Sequence, residues 1–298
     1  MSAIWIKNVR IRLREIWPLF PAALYLLVFL VIVLVYLVVL SFSSGSGNTT
    51  LFPTLEPLKA VVSGHAFREA LLNTSVFVMV GTPFELITGL FLALILYRTF
   101  FMRNFIRSFF LIPLAVPALV TAILIFILFD FPGGHINHLL LGRYGLPALI
   151  HDPLNWRGSK YLSLGLSMLG KVWRDMPISM LILLSGLNSI DSELFDAAKT
   201  MGAGFRQRFF DIILPLILPS CATVLLLRSI EMWKEFIFPF VLAGKYSLLG
   251  TLIESLYNDW GSSHEAAAVA LILVLCIVTT AFIFLLMFDA LKKRIYKG

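Results

Sequence analysis

The stretch Phe195–Pro219, FDAAKTMGAGFRQRFFDIILPLILP, sets a short polar segment, a Gly-Ala-Gly break and three cations ahead of an apolar run marked by two prolines. Together with the residues just before it, its periodicity predicts a helix from about Ser192 to Met201. Leu194, Ala198 and Met201 fall at i, i+4 and i+7 with Ala197 beside them, and Glu193, Asp196, Lys199 and Thr200 make the opposite face. Asp191 and Glu193 suit the positive end of the helix dipole. Gly202 and Gly204 allow the left-handed or open backbone that ends this helix and redirects the chain, and a second helix starts near Phe205. An interfacial helix lying on lipid headgroups would explain the amphipathic face. It would not explain the Gly-Ala-Gly break, or Pro215 and Pro219 four residues apart.

The surroundings are those of a bilayer protein: of 298 residues 59% are apolar and 14% charged, and the mean hydropathy is +0.91, outside the range of water-soluble domains. Apolar runs near 18–42, 68–97, 105–130, 161–187, 210–236 and 264–290 are each long enough for a helix of about 20 residues to cross. The expected fold is therefore all-α and integral to the membrane, with six transmembrane helices in one domain. The first run is too long for a signal-peptide core and stays in the chain. Lys7, Arg10, Arg12 and Arg14 precede the first run and Lys292, Lys293, Arg294 and Lys297 follow the last, which puts both termini in the cytoplasm. Arg98, Arg103 and Arg107, then Lys199, Arg206 and Arg208, bring the inner side to 14 Lys+Arg, against five on the outer side at Lys59, Arg143, Arg157, Lys160 and Lys245. The quoted stretch is then a cytoplasmic loop between spans four and five. The net charge of +7 reads as cationic loops beside anionic headgroups rather than as a nucleic-acid surface. Trp5, Trp17, Trp156 and Trp260 read as interface anchors.

Several kinds of chemistry find no support. Cys221 and Cys276 sit 55 residues apart in apolar runs and read as small core residues. His135, His138 and His151 lie in a Gly-, Pro- and Asn-rich outer segment with no carboxylate or cysteine to complete a metal-ligand pattern. "GKV" at Gly170 and "GKY" at Gly244 lack the remaining residues of a phosphate-binding loop. The chain is not expected to hydrolyse ATP.

From Asp196 to Pro219 the loop resembles, without a gap over 24 residues, the EAA loop of bacterial ABC-importer permeases: Glu-Ala-Ala, three residues, Gly-Ala, then spaced Phe, Ile, Leu-Pro and Pro. The matching positions are Asp196, Ala197, Ala198, Gly202, Ala203, Phe209, Ile212, Leu214, Pro215 and Pro219. The flanks MPISMLILLSGLNSIDSEL (Met176–Leu194) and GGHINHLL (Gly133–Leu140) look like the carbohydrate-uptake subfamily, relatives of the maltose and glycerol-phosphate permeases. The chain departs from the pattern where Asp196 replaces Glu, where Met201 stands for a frequent Asp, and where LAGKYSLLGTL replaces a Gly-Gly-Pro turn. The resemblance implies a type I ABC importer permease fold in the bacterial inner membrane, with residues 1–17 cytoplasmic, a core over 68–290 and the EAA loop at 191–219. It implies a coupling helix that docks in a groove on a cytoplasmic ABC ATPase dimer, through Leu194, Asp196, Ala197, Ala198, Met201, Gly202 and Ala203. ATP and Mg would be held by those partner subunits, with no cofactor in this chain. A second homologous permease and an external solute-binding protein would complete the assembly. Apolar groups filling a groove and a carboxylate offered to a basic residue are the physics of such docking.

Charges inside the spans cost about 3 kcal/mol or more each at mid-bilayer and so mark function by default. Lys171, Arg174, Asp175 and Ile178 share one stripe in span four beside Pro177, and Arg228, Glu231, Met232 and Glu235 share another in span five, with Lys234 to one side. These segments correspond to where maltose-type permeases touch their sugar, so the resemblance assigns solute contact to Arg174, Asp175, Ile178, Arg228, Glu231, Met232 and Glu235. A second reading of the same charges is ion pairs that hold helices in register. Glu85 in span two marks either a break in the helix near Pro83 and Gly89 or a packing contact. Four positive and three negative charges in spans four and five nearly cancel, which favours a neutral polyhydroxyl solute, a sugar, glycoside or polyol, over a dianion. Glycerol phosphate or a zwitterionic osmolyte is the alternative within the family. An ion-driven secondary transporter, which would show paired repeats with broken helices, and a membrane scaffold, which needs no mid-membrane charge, are the alternatives outside it.

Overall fold

A computed structural model describes residues 18, 20–45, 51–98 and 101–297. Lys7, Arg10, Arg12, Arg14, Trp5 and Trp17 lie outside the described residues, as do the side chains of Ser192, Lys292, Arg294 and Lys297. Helices are the only regular elements among the described residues, apart from one isolated β-bridge between Ser44 and Leu51. The long elements are α1 (Phe20–Ser41), α3 (His65–Tyr97), α7 (Lys160–Asn188), α9 (Phe205–Trp233) and α12 (Ser263–Lys297). Shorter ones are α2 (Glu56–Ser63), α4 (Arg103–Ala115), α5 (Ala118–Leu128), α6 (His135–Leu140), α8 (Ser192–Thr200), α10 (Ile237–Leu242) and α11 (Leu249–Glu254). Four helices, α1, α3, α9 and α12, are each long and apolar enough to cross a bilayer, and counting each of two bent pairs as one span gives up to six.

The first bent pair is where the structure departs from six straight helices. The run expected at 105–130 breaks between α4 and α5 at an angle of 94°. Proline has no amide hydrogen and disfavours helical geometry in the residue before it. Pro117 accordingly leaves Val116 extended (φ −84°, ψ 130°) and the chain turns there. The second bend, 70°, separates α7 from α8. α3, in contrast, runs unbroken through Pro83, so the expected break near Glu85 does not form.

Helices α3, α7 and α9 make the centre of the bundle. Leu92, Leu96, Met180, Leu183, Leu187, Ile217 and Val224 interlock in one apolar layer toward the α8 end. Phe77, Val172, Met232, Trp233, Leu249 and Val269 form a second layer, which α11 and α12 complete. Small residues let the backbones approach, as between helices in lipid: a Cβ on Gly89 would lie 2.8 Å from the Ser179 Cβ. α1 is exposed to its surroundings along its length and rests on α12. An all-round apolar helix suits lipid. At the end of α7 remote from α8, buried Asn137 accepts from Leu154 N and Trp156 Nε1 and donates to Asp130 O and Leu154 O. Trp156 thus belongs to the inside of this loop rather than to a lipid interface.

Candidate functional site: a charged seam and an elbow

The 3.6-residue period sets Lys171, Asp175 and Ile178 on one face of α7 and Arg228, Glu231 and Glu235 on one face of α9, and the fold brings the two faces together. Lys171 Nζ lies 2.6 Å from Asp175 Oδ2, 3.0 Å from Glu235 Oε2 and 3.8 Å from Glu231 Oε2. Arg228 Nη1 lies 2.8 Å from Glu231 Oε2 and 4.0 Å from Asp175 Oδ2. Arg174 Nη1 meets the other Asp175 oxygen at 2.5 Å, and its Nε donates to Val116 O at 3.5 Å. The bend between α4 and α5 therefore supplies an acceptor to this seam. Glu235 has a second duty, since its Oε1 accepts from Phe238 N at 3.1 Å and ends the turn into α10.

Lys171, Asp175, Arg228 and Glu235 are all buried. The groups at the edge are Arg174 and Glu231, whose side chains are 26% and 33% exposed. A polar solute reaching this seam meets a guanidinium and a carboxylate first, a pair that offers donors and acceptors in fixed planes.

Some expected members stand elsewhere. Met232 is fully buried, with its Sδ 3.1 Å from where a Gly81 Cβ would be, so it packs α9 onto α3 and does not face the charges. Ile178 is half-buried beside the seam. Lys234 is exposed, away from the cluster. Two charged members have no place in the solute-contact set that the resemblance implies. Lys171 is the hub of the seam, and Glu85 on α3 joins it from the third side, with Oε1 3.5 Å from Arg228 Nη1. Gly81, Glu85 and Gly89 recur every four residues, a signal that this face of α3 packs closely. The seam holds three cations, Lys171, Arg174 and Arg228, and four carboxylates, Glu85, Asp175, Glu231 and Glu235.

Beyond the seam, toward α8, a groove of about 540 Å³ runs between α7 and α9, lined by Ile182, Ser185, Ser189, Ser220 and Thr223 among others. Asp175, Ile178, Ile182, Ser185 and Ser189 recur at helical spacing, as do Glu231, Leu227, Thr223 and Ser220, so the groove continues the two charged stripes.

The elbow follows. Asp191 caps α8, accepting from Glu193 N at 3.1 Å, as carboxylates at N-caps do. α8 ends at Thr200 and Gly202 takes φ +78°, the left-handed geometry that favours glycine. Arg208–Ile213 is then π-helical before Pro215 and Pro219. Leu194 and Met201 are 47% and 87% exposed. Asp196, Ala197 and Gly202 are also exposed and Ala203 half-buried. Asp196 is paired with Lys199 at 2.9 Å on the open surface. Ala198, expected on the same docking stripe, is instead buried against its own chain. Phe195, next to it in the turn, packs on Tyr97 with ring centroids 5.9 Å apart. α8 needs one side to rest on the bundle, and Ala198 is on that side.

Residues 85–297 match the family model described as the binding-protein-dependent transport system inner membrane component. The permease protein of the sulfoquinovosyl glycerol transport system of Agrobacterium fabrum is 30% identical over 277 residues, covering 89% of this chain and 88% of that protein. The trehalose/maltose transport permease of Thermococcus litoralis is 31% identical over 222 residues, covering 72% and 73% of the two chains. Among solved structures, a chain of a bacterial alginate ABC transporter, crystallised with an alginate pentasaccharide-bound periplasmic protein, has the same fold, with a TM-score of 0.81 at 17% identity over 95% of this chain and 97% of that one. The chain belongs to the binding-protein-dependent transport system inner membrane components, the permease family that the loop from Asp196 to Pro219 resembles.

Proposed function

We propose that this chain is half of the membrane pore of an ATP-driven importer, moving a small polyhydroxylated solute by alternating access. One relation carries the reading: α8 is joined directly to α7 and α9, the two helices that hold the charged seam. Asp175 is roughly 20 Å from the α8 end of α7 at 1.5 Å per residue, and a push on α8 is delivered through both rigid helices to the seam between them. In this reading the bent pair α4–α5 counts as one span and α7 alone as another, making six with α1, α3, α9 and α12, and both termini are cytoplasmic. α8 is the coupling helix. Its outward residues Leu194, Asp196, Ala197 and Met201 enter a groove on one subunit of a cytoplasmic ABC ATPase dimer. Gly202 and Ala203 form the turn below it. ATP and Mg sit in that dimer, a second homologous permease supplies the other half of the pore, and an external binding protein delivers the solute.

Arg174 and Glu231 make the first polar contacts with the solute, backed by Asp175, Lys171, Arg228 and Glu235. The seam has no cationic excess, so a neutral sugar, glycoside or polyol suits it better than glycerol phosphate. The hydroxyl-lined groove beyond it has the volume of a small-molecule site and gives the solute a path toward α8. The relative whose name specifies trehalose and maltose supports this class, and the one whose name specifies sulfoquinovosyl glycerol, an anionic glycoside, supports a polyhydroxylated solute without supporting its neutrality.

Labelled-solute uptake by cells carrying the whole importer tests the reading. Glu231→Gln is expected to abolish uptake while the ATPase still co-purifies with the chain, and undiminished uptake would refute the assignment of the seam.

A further inference from the structure

Glu85 is fully buried on α3. Its Oε1 accepts from Ser179 Oγ at 2.9 Å and faces Arg228 Nη1 at 3.5 Å. Its Oε2 is buried with no hydrogen-bond partner among the described residues, and so is Arg228 Nε. A carboxylate committed to packing alone would have both oxygens satisfied.

Arg228 is enclosed within the bundle and needs a counter-charge at every stage of a transport cycle, because one uncompensated ion there is strongly destabilising. Three carboxylates surround it and they are not equivalent. Asp175 is already shared by Lys171 and Arg174. Glu231, the nearest at 2.8 Å, is also the carboxylate that solvent and solute reach. Each time Glu231 turns to a solute hydroxyl, Arg228 loses its closest partner. Glu85 comes from a different helix, is sealed from solvent, is oriented by Ser179, and has no other cation within 4 Å among the described residues. Gly89, one turn further along α3, permits the close approach to Ser179 that brings it there.

We infer that Glu85 is a positioning residue, the fixed counter-ion that keeps Arg228 neutralised and in place when Glu231 releases it. The inference rests on the proposed role of Glu231 and adds to it a division of labour. One carboxylate exchanges partners at the open edge and the other holds the guanidinium from behind.

Thermal unfolding of the full chain in detergent micelles, followed by tryptophan fluorescence, needs no solute. Glu231→Gln is expected to lower Tm by about 2 °C or less and Glu85→Gln by about 5 °C or more, because the second takes away the carboxylate sealed beside Arg228. Glu85→Gln with Glu231→Gln should lose more than the two single losses added. Glu85→Gln with Arg228→Gln should regain at least half of the Glu85→Gln loss, since the guanidinium that Glu85 faces is then gone too. If Glu85→Gln yields no folded protein, recovery of folded protein in that last double variant supports the inference and failure to recover it overturns it. Additive losses, or no recovery, overturn it too. A second readout follows the guanidinium itself. The Arg228 Nε–H resonance, assigned by its disappearance in Arg228→Gln, should keep its position in Glu231→Gln and shift or broaden in Glu85→Gln. The reverse pattern would make Glu231 the anchor and sink the proposal. Unchanged uptake in Glu231→Gln together with the coupling described would remove the solute role of Glu231 and leave the Glu85–Arg228 pairing standing. Lost uptake without the coupling would remove the role of Glu85 alone.

Discussion

Lys171 on α7 and Glu235 on α9 meet at 3.0 Å, and the same ammonium holds Asp175 at 2.6 Å. One cation thus ties together the two helices that flank the elbow. Lys171→Met would leave Asp175 with Arg174 and Arg228 but would strip Glu235 of its cation. Removing one member of a buried ion network costs about 3–5 kcal/mol. The expected outcome is a sharp fall in folded protein, read by size-exclusion of the detergent-extracted chain. Lys171→Met with Glu235→Gln should recover part of it, because the amide oxygen can still accept from Phe238 N.

The approach of α3 to α7 depends on Gly89, where a Cβ would meet the Ser179 Cβ at 2.8 Å and Met180 N at 3.2 Å. Backbone cannot rotate out of the way as a flexible side chain can. Gly89→Val is expected to cost about 1–3 kcal/mol by overpacking and to move Glu85 away from Arg228. Thermal unfolding checks the first effect. A Gly165→Val control, at a glycine whose added Cβ meets nothing within 4 Å, should change Tm far less.

Local chemistry made the elbow and the two stripes legible in the sequence. Asp191 at the positive end of the α8 dipole, Gly202 in the left-handed region and the spacing of Lys171, Asp175, Glu231 and Glu235 each act within one or two helical turns, so residue order suffices to read them. What escaped depends on partners far along the chain. The apolar run at 105–130 gives no hint of its 94° bend in hydropathy, because Pro117 acts on backbone geometry and not on polarity. An amphipathic period shows that α8 has an apolar face but not which body covers it. Ala198 proves to face the bundle while Met201 faces out. Met232 shares a stripe with Glu231 and Glu235, yet its flexible thioether turns to Gly81. Residue type alone makes Trp156 an interface anchor, and only its contact with Asn137, 19 residues away, assigns it to the loop interior.

At Gly202 a Cβ would meet nothing within 4 Å, so any effect of substitution comes from φ +78° alone. Asn tolerates left-handed backbone far better than a β-branched residue. Gly202→Asn should keep most ATP-driven uptake, and Gly202→Val should lose most of it, with a conformational penalty of about 1–2 kcal/mol. Equal uptake in the two variants would show that the turn at Gly202 need not be held in this geometry.

The two sides of α8 allow the proposed docking to be tested apart from folding. Met201 and Leu194 point outward, and an acidic side chain there stays in water, so Met201→Glu with Leu194→Glu should leave the Tm of the chain within about 1–2 °C, as exposed substitutions usually do. An ATPase groove shaped for apolar groups would reject those two carboxylates, and co-purification of the ATPase should drop at least tenfold, the consequence of about 1.4 kcal/mol or more lost from the contact. Ala198→Glu presents the opposite pattern. It drives a charge between α8 and the bundle, where Phe195 packs on Tyr97, so the chain itself should lose stability by several degrees or fail to fold. If the double outward variant bound the ATPase as well as the native chain does, α8 would not be the docking element, because Leu194 and Met201 are the large apolar side chains it exposes.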